Sequence, residues 1–99
     1  MERGYRSAGL FDRDDLLVHD GGPGSGKSPG SAPVDPATVL RPGGTMTVDD
    51  YTPTTTWPPM FNATVDESRV HWLEHPLLRS TEVRVAADLA VVVCRYLPA

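Results

Sequence analysis

The residues best placed for chemistry are Asp49 and Asp50, which close the stretch Leu40-Arg41-Pro42-Gly43-Gly44-Thr45-Met46-Thr47-Val48-Asp49-Asp50-Tyr51. Thr45 to Val48 has the residues of a short buried strand, so the two carboxylates fall at its C-terminal tip. Ligands of open α/β sheets collect outside the carboxyl ends of the strands. Acids there can bind a divalent cation, position a substrate hydroxyl or remove its proton, provided they reach it. They can equally satisfy backbone amides in a turn. His19, at the end of the apolar run Leu16-Leu17-Val18, could act as a base or be a satisfied strand-end histidine.

Two further constellations carry a chemistry of their own. Gly21 to Ser28 matches G-x-x-x-x-G-K-[ST], a phosphate-binding loop in which Lys27 and Ser28 would act with Asp49 on Mg²⁺. That loop works by aiming a helix N-terminus at phosphate, and Pro29, Gly30 and Pro33 stand where the helix should begin. The same residues also read as a flexible Gly/Ser/Pro insertion. His71 and His75 have an i, i+4 spacing that can hold zinc, but no cysteine pair or third nearby ligand completes a site.

The elements that position these groups follow from local signals. Leu16 to His19 reads as a buried strand ending in Asp20-Gly21-Gly22. Residues 21–34 read as a mobile loop. Asp35 caps a short helix to Arg41 that starts on Pro36, and Pro42-Gly43-Gly44 ends it. Thr52 to Val65 is a long loop whose Trp57, Met60 and Phe61 could wall a pocket above the acidic tip. Asp66 caps a helix from Glu67 to His75, with Val65 and Val70 as a staple, Val70, Leu73 and Leu77 on one face, and Pro76 as the stop. Thr81 to Val85 alternates and belongs at a sheet edge. Leu89 to Cys94 is continuously apolar and belongs inside, covered on both faces. The short link Ala86-Ala87-Asp88 makes the pair an antiparallel hairpin.

Composition bounds the function. Ninety-nine residues make one small domain, and a net charge of -4 without a basic run argues against nucleic acid. The longest apolar run is too short to span a bilayer. A lone cysteine, Cys94, and an N-terminus without an apolar core favour the cytoplasm.

The order strand, loop, short helix, Leu-Arg-Pro-Gly-Gly turn, strand ending in Asp-Asp, loop, helix and terminal hairpin resembles the C-terminal half of a class I S-adenosylmethionine-dependent methyltransferase. The resemblance covers the chain from about Leu16 onward. It implies a partial Rossmann-like sheet, strands four to seven, with the last strand inserted antiparallel between the fifth and sixth. It also implies O-methylation of a small-molecule acceptor, with His19 and Asp20 toward the cofactor and Asp20 and Asp49 as catalytic acids. Its cation-dependent members carry acids at the ends of strands four and five, which map to Asp20, Asp49 and Asp50 as Mg²⁺ ligands; Asp50 replaces their usual Asn. The family's Gly-rich loop after strand one and the acid ending strand two have no counterpart, and the residues before Leu16 are too few for strands one to three. The resemblance therefore implies a truncated reading frame, a degraded relative, or a piece that needs a partner, either a missing N-terminal half or another copy; the alternatives to methyl transfer are the phosphate-loop nucleotide binder and a non-catalytic fragment that acts through a partner chain. Without strand one, Leu16 to Val18 would be an open apolar edge.

Overall fold

Apolar and β-branched residues from Leu16 onward form strand β1 (Asp14–His19). The computed structural model describes residues 13–19, 24–27 and 32–98. A single helical turn, α1 (Pro36–Val39), follows. The Asp35 carboxylate accepts from the Ala37 amide at 3.0 Å, and Pro36 fills the first position, where a missing N–H is harmless. The helix stops at Val39 rather than Arg41, because Leu40 is already extended (φ -120, ψ 144).

Strand β2 (Leu40–Tyr51) then runs through Pro42-Gly43-Gly44, which the sequence marked as a turn. The triplet is instead an irregularity inside the strand. The β1–β2 register moves from Asp14↔Leu40 to Leu16↔Thr45, and Gly43 takes φ +83. Glycine adopts that conformation without a Cβ clash, so the extra residues are accommodated without ending the strand.

The expected loop from Thr52 to Val65 holds a small hairpin, β3 (Met60–Phe61) and β4 (Thr64–Val65). Its two turn residues, Asn62 and Ala63, both have positive φ (51 and 64), the geometry that matches strand twist in a two-residue turn. Helix α2 (Glu67–Glu74) is capped by the Asp66 carboxylate, which accepts from the Arg69 amide at 3.2 Å. The buried face of α2 is Ser68, Arg69 and Trp72, not the expected Val70, Leu73 and Leu77 stripe; Leu73 and Leu77 only pack at the margin of the core.

Strands β5 (Leu78–Ala86) and β6 (Leu89–Tyr96) complete a four-stranded sheet in the order β1-β2-β6-β5. β1 and β2 are parallel, and β6 is antiparallel to both neighbours. The alternating strand is at the edge and the apolar strand inside, as their patterns require. The fold is a small mixed α/β sheet with few helices.

The core lies on one face. Leu17, Met46, Val48, Val92 and Cys94 pack there beneath Trp72 and Val39. The other face is open: Leu16 is 64% exposed, Val18 52%, Val83 41% and Val85 53%. Among the described residues a helix covers β6 on one face only; Ala90, Val92 and Cys94 are buried there, while Val91 and Val93 on the other face are half-buried.

Candidate functional site

Parallel pairing brings the carboxyl ends of β1 and β2 to one rim, with His19 opposite Val48. Beyond Val48 the β2–β6 register shifts, and Asp50 takes φ +73, a conformation that aspartate tolerates better than most residues. The Asp49 Oδ1 accepts from the Asp50 amide at 2.6 Å. Asp49 is half-buried, and Asp50 is exposed.

Lys27 closes this rim. Its ammonium donates to the Asp49 carbonyl at 2.8 Å and the Asp50 carbonyl at 2.6 Å, and lies 4.0 Å from the centroid of the Tyr51 ring. Burial lowers the Lys27 pKa, while the charges of Asp50, Asp66 and Asp49 oppose that shift. The Arg69 guanidinium stands 5.0 Å from the same ring.

The segment carrying Lys27 is tied to the core. The Ser25 carbonyl accepts from Ser68 Oγ at 2.7 Å and from Trp72 Nε1 at 2.9 Å. The single hydroxyl proton of Ser68 is thereby committed, so the Tyr51 hydroxyl, 2.7 Å from Ser68 Oγ, donates to it. Burial pushes the Tyr51 phenol well above its usual pKa, so it stays protonated. The Val34 amide donates to the Gly24 carbonyl at 2.7 Å. The middle of the segment expected to be mobile is thus anchored; its remaining parts, 21–23 and 28–31, lie outside the described residues.

A cleft of about 480 Å³ opens between the tip of β2, the β3–β4 hairpin and the start of α2, with Lys27, Asp50, Tyr51, Phe61, Asp66 and Glu67 in its wall. Three carboxylates and one ammonium line it. Asp66 is committed to Arg69, accepting from Nε at 3.1 Å and Nη2 at 3.0 Å. Asp50 and Glu67 are exposed.

Of the residues singled out by sequence, Asp50 lines the cleft. Asp49 does not line it. His19 is enclosed at 1% exposure beneath Gly24, where a Cβ would come within 3.1 Å of its Nε2. Asp20 lies outside the described residues. Sequence reasoning did flag Phe61 as a wall, but it missed Tyr51, Asp66 as part of the cleft, and Glu67. Asp66 carried only its helix-cap signal.

Among the described residues, no three His, Cys, Asp or Glu side chains converge as a metal site. The Lys27 ammonium already places a positive charge at the β2 tip. The described residues alone therefore do not form a divalent-cation site. The phosphate-loop reading of residues 21–28 is also strained by Lys27, whose ammonium is committed to two carbonyls; Ser28 lies outside the described residues.

His71 and His75 are neighbours on α2, with ring centroids 5.3 Å apart, and His75 Nδ1 accepts from the Leu77 amide at 3.1 Å. Burial, reinforced by the proximity of His75, lowers the His71 pKa from its usual value. The sign follows from linkage: at pH between the lowered folded value and about 6.5, the unfolded chain binds a proton that the folded chain refuses. Stability contributed by neutral His71 is present above about pH 6.5 and falls as pH drops through that window. Thermal unfolding between pH 7.5 and 5 should show this loss, and His71→Gln should flatten it.

No helix among the described residues is long and apolar enough to cross a membrane. No family model, no curated protein and no solved structure matches the chain.

Proposed function

We propose that this chain is the strand-four-to-seven part of a Rossmann-like methyltransferase sheet, and that its rim cleft receives S-adenosylmethionine and a small-molecule oxygen acceptor. The observation that carries the reading is the strand order β1-β2-β6-β5, with a parallel first pair and a reversed last strand between β2 and β5. This is the arrangement that the methyltransferase resemblance implies. The cleft supports it further, because it sits at the carboxyl end of β2, where such sheets bind ligands.

The donor set suits a cationic cofactor. Asp50 and Glu67 are exposed carboxylates in the cleft wall, and Phe61 offers an apolar surface beside them. When bound, the cofactor supplies an electrophilic methyl group on a positively charged sulfur. Asp50 is the residue of this chain best placed to hold the acceptor hydroxyl and take its proton. Asp49 and Asp20 are the other acids of the proposed rim. Tyr51 stays protonated and works structurally, holding Ser68. The cleft's main contribution is to align the acceptor oxygen, since proximity supplies much of the acceleration in such transfers.

Calorimetric titration with S-adenosylmethionine, and separately with ATP-Mg²⁺, tests this reading. Saturable S-adenosylmethionine binding is expected, weakened about tenfold by Asp50→Asn through loss of a charge-assisted contact. Absence of binding at millimolar cofactor would overturn it. Saturable ATP-Mg²⁺ binding that disappears in Lys27→Ala would install the nucleotide-binding alternative in its place.

A further inference from the structure

We infer that the open face of the sheet is an interface with a second copy of this chain, packed face to face about a two-fold axis perpendicular to the strands. The inference does not depend on methyl transfer.

The first support is the imbalance between sequence and cover. Leu16 and Val18 on β1, Val91 and Val93 on β6, and Val83 and Val85 on β5 form an apolar face that no helix covers among the described residues. A second layer is what such a face requires.

The second support identifies the occupant. Arg79 and Arg95 are direct cross-strand partners at one end of this face, and Arg95 also pairs with Thr45 of β2. Among the described residues, neither arginine side chain has a hydrogen-bond or ion-pair partner. Two like charges directly opposite each other on a sheet are destabilising unless an anion lies between them. Asp49 follows Val48, so strand alternation puts it on this same face, at the end of β2 opposite to Thr45. The face is therefore basic at one end, valine- and threonine-rich in the middle, where Thr47 and Thr81 flank Val93, and acidic at the other. A two-fold axis across the strands sets the basic end of each copy over the acidic end of the other. Arg95 of one copy then falls within about one strand spacing, ~4.8 Å sideways, of the other copy's Asp49, well within arginine's reach. The surface is complementary to itself, as an isologous interface requires.

The area sets the strength. Four strands of this length give a flat footprint of roughly 400 Å² per copy, about half that of a standard interface. The association is reversible, with a dissociation constant in the micromolar range.

Sedimentation velocity on the full chain, from about 1 to 500 µM, is the test. The mass should rise from one copy to two across this range. Val93→Glu, at the centre of the face, should raise the dissociation constant at least about tenfold. Arg95→Asp and Asp49→Arg should each weaken the dimer, and the double variant should restore it. The charge swap decides the matter if Val93→Glu does not fold. A monomer at every concentration overturns the inference. A dimer indifferent to both the Val93 change and the charge swap, as in edge pairing through β1, overturns it as well.

Discussion

Replacing Arg69 by alanine lowers the unfolding free energy by about 3–5 kcal/mol, the range for breaking a buried ion pair from one side. The Arg69 side chain is fully buried and joins two elements. It donates from Nε and Nη2 to Asp66, and from Nη1 to both oxygens of Glu82 at 3.4 Å. Alanine leaves Asp66 and Glu82 facing each other without their shared cation. It also removes the guanidinium that stands 5.0 Å from the Tyr51 ring centroid and opens a void behind α2. In a chain whose total stability is about 5–15 kcal/mol, that loss puts folding itself at risk. Urea unfolding followed by circular dichroism measures it. Arg69→Lys should recover only part of the deficit, because an ammonium cannot reproduce the guanidinium fork that reaches both acids. An Arg69→Ala protein within 1 kcal/mol of the parent would show that the network contributes little.

Trp72→Ala should come second, at about 3–5 kcal/mol, from lost burial and the cavity left behind. Trp72 is wholly buried on α2 against the sheet. Its second role is local, since Nε1 is one of two donors holding the Ser25 carbonyl. Trp72→Phe separates the two roles. It keeps most of the ring volume, drops one donor and should cost about 1–2 kcal/mol. Combined with Ser68→Ala, it removes the Trp72 and Ser68 donors to the Ser25 carbonyl together, and the Tyr51 hydroxyl loses its Ser68 acceptor as well. The double variant should therefore exceed the sum of the singles. Amide exchange in residues 24–27 should quicken in the double variant before global stability is lost.

The parts of the fold legible in the chain were those set by near neighbours. Asp35-Pro36 and Asp66 each cap a helix within three residues, and Pro76 lies just past the end of α2. The alternation of β5 and the apolar run of β6 correctly assigned edge and centre. What escaped depended on distant partners. The burial of Arg69 and Ser68 escaped because it is stabilised by Glu82, 13 residues away, and Ser25, 43 residues away. Pro42-Gly43-Gly44 carries the same local chemistry whether it ends an element or bends one; the pairing with β1 decides. Asn62-Ala63 lacks the glycine that usually signals a two-residue turn. At the site, the acidic tip was found from the strand it ends. The Lys27 staple was hidden because its acceptors lie 22 and 23 residues away, in a segment that mimics a phosphate loop.

The central position of β6 has a consequence for biosynthesis. β2 and β5 do not pair with each other; β6, which follows both in the chain, is what joins them. On a ribosome, β1 and β2 must wait for it with one edge bare. From Tyr51 to Tyr96, at ~5–20 residues/s, the delay is roughly 2–9 s. The nascent chain thus passes through a window in which a holding chaperone, rather than its own later residues, has the first opportunity to shield that edge.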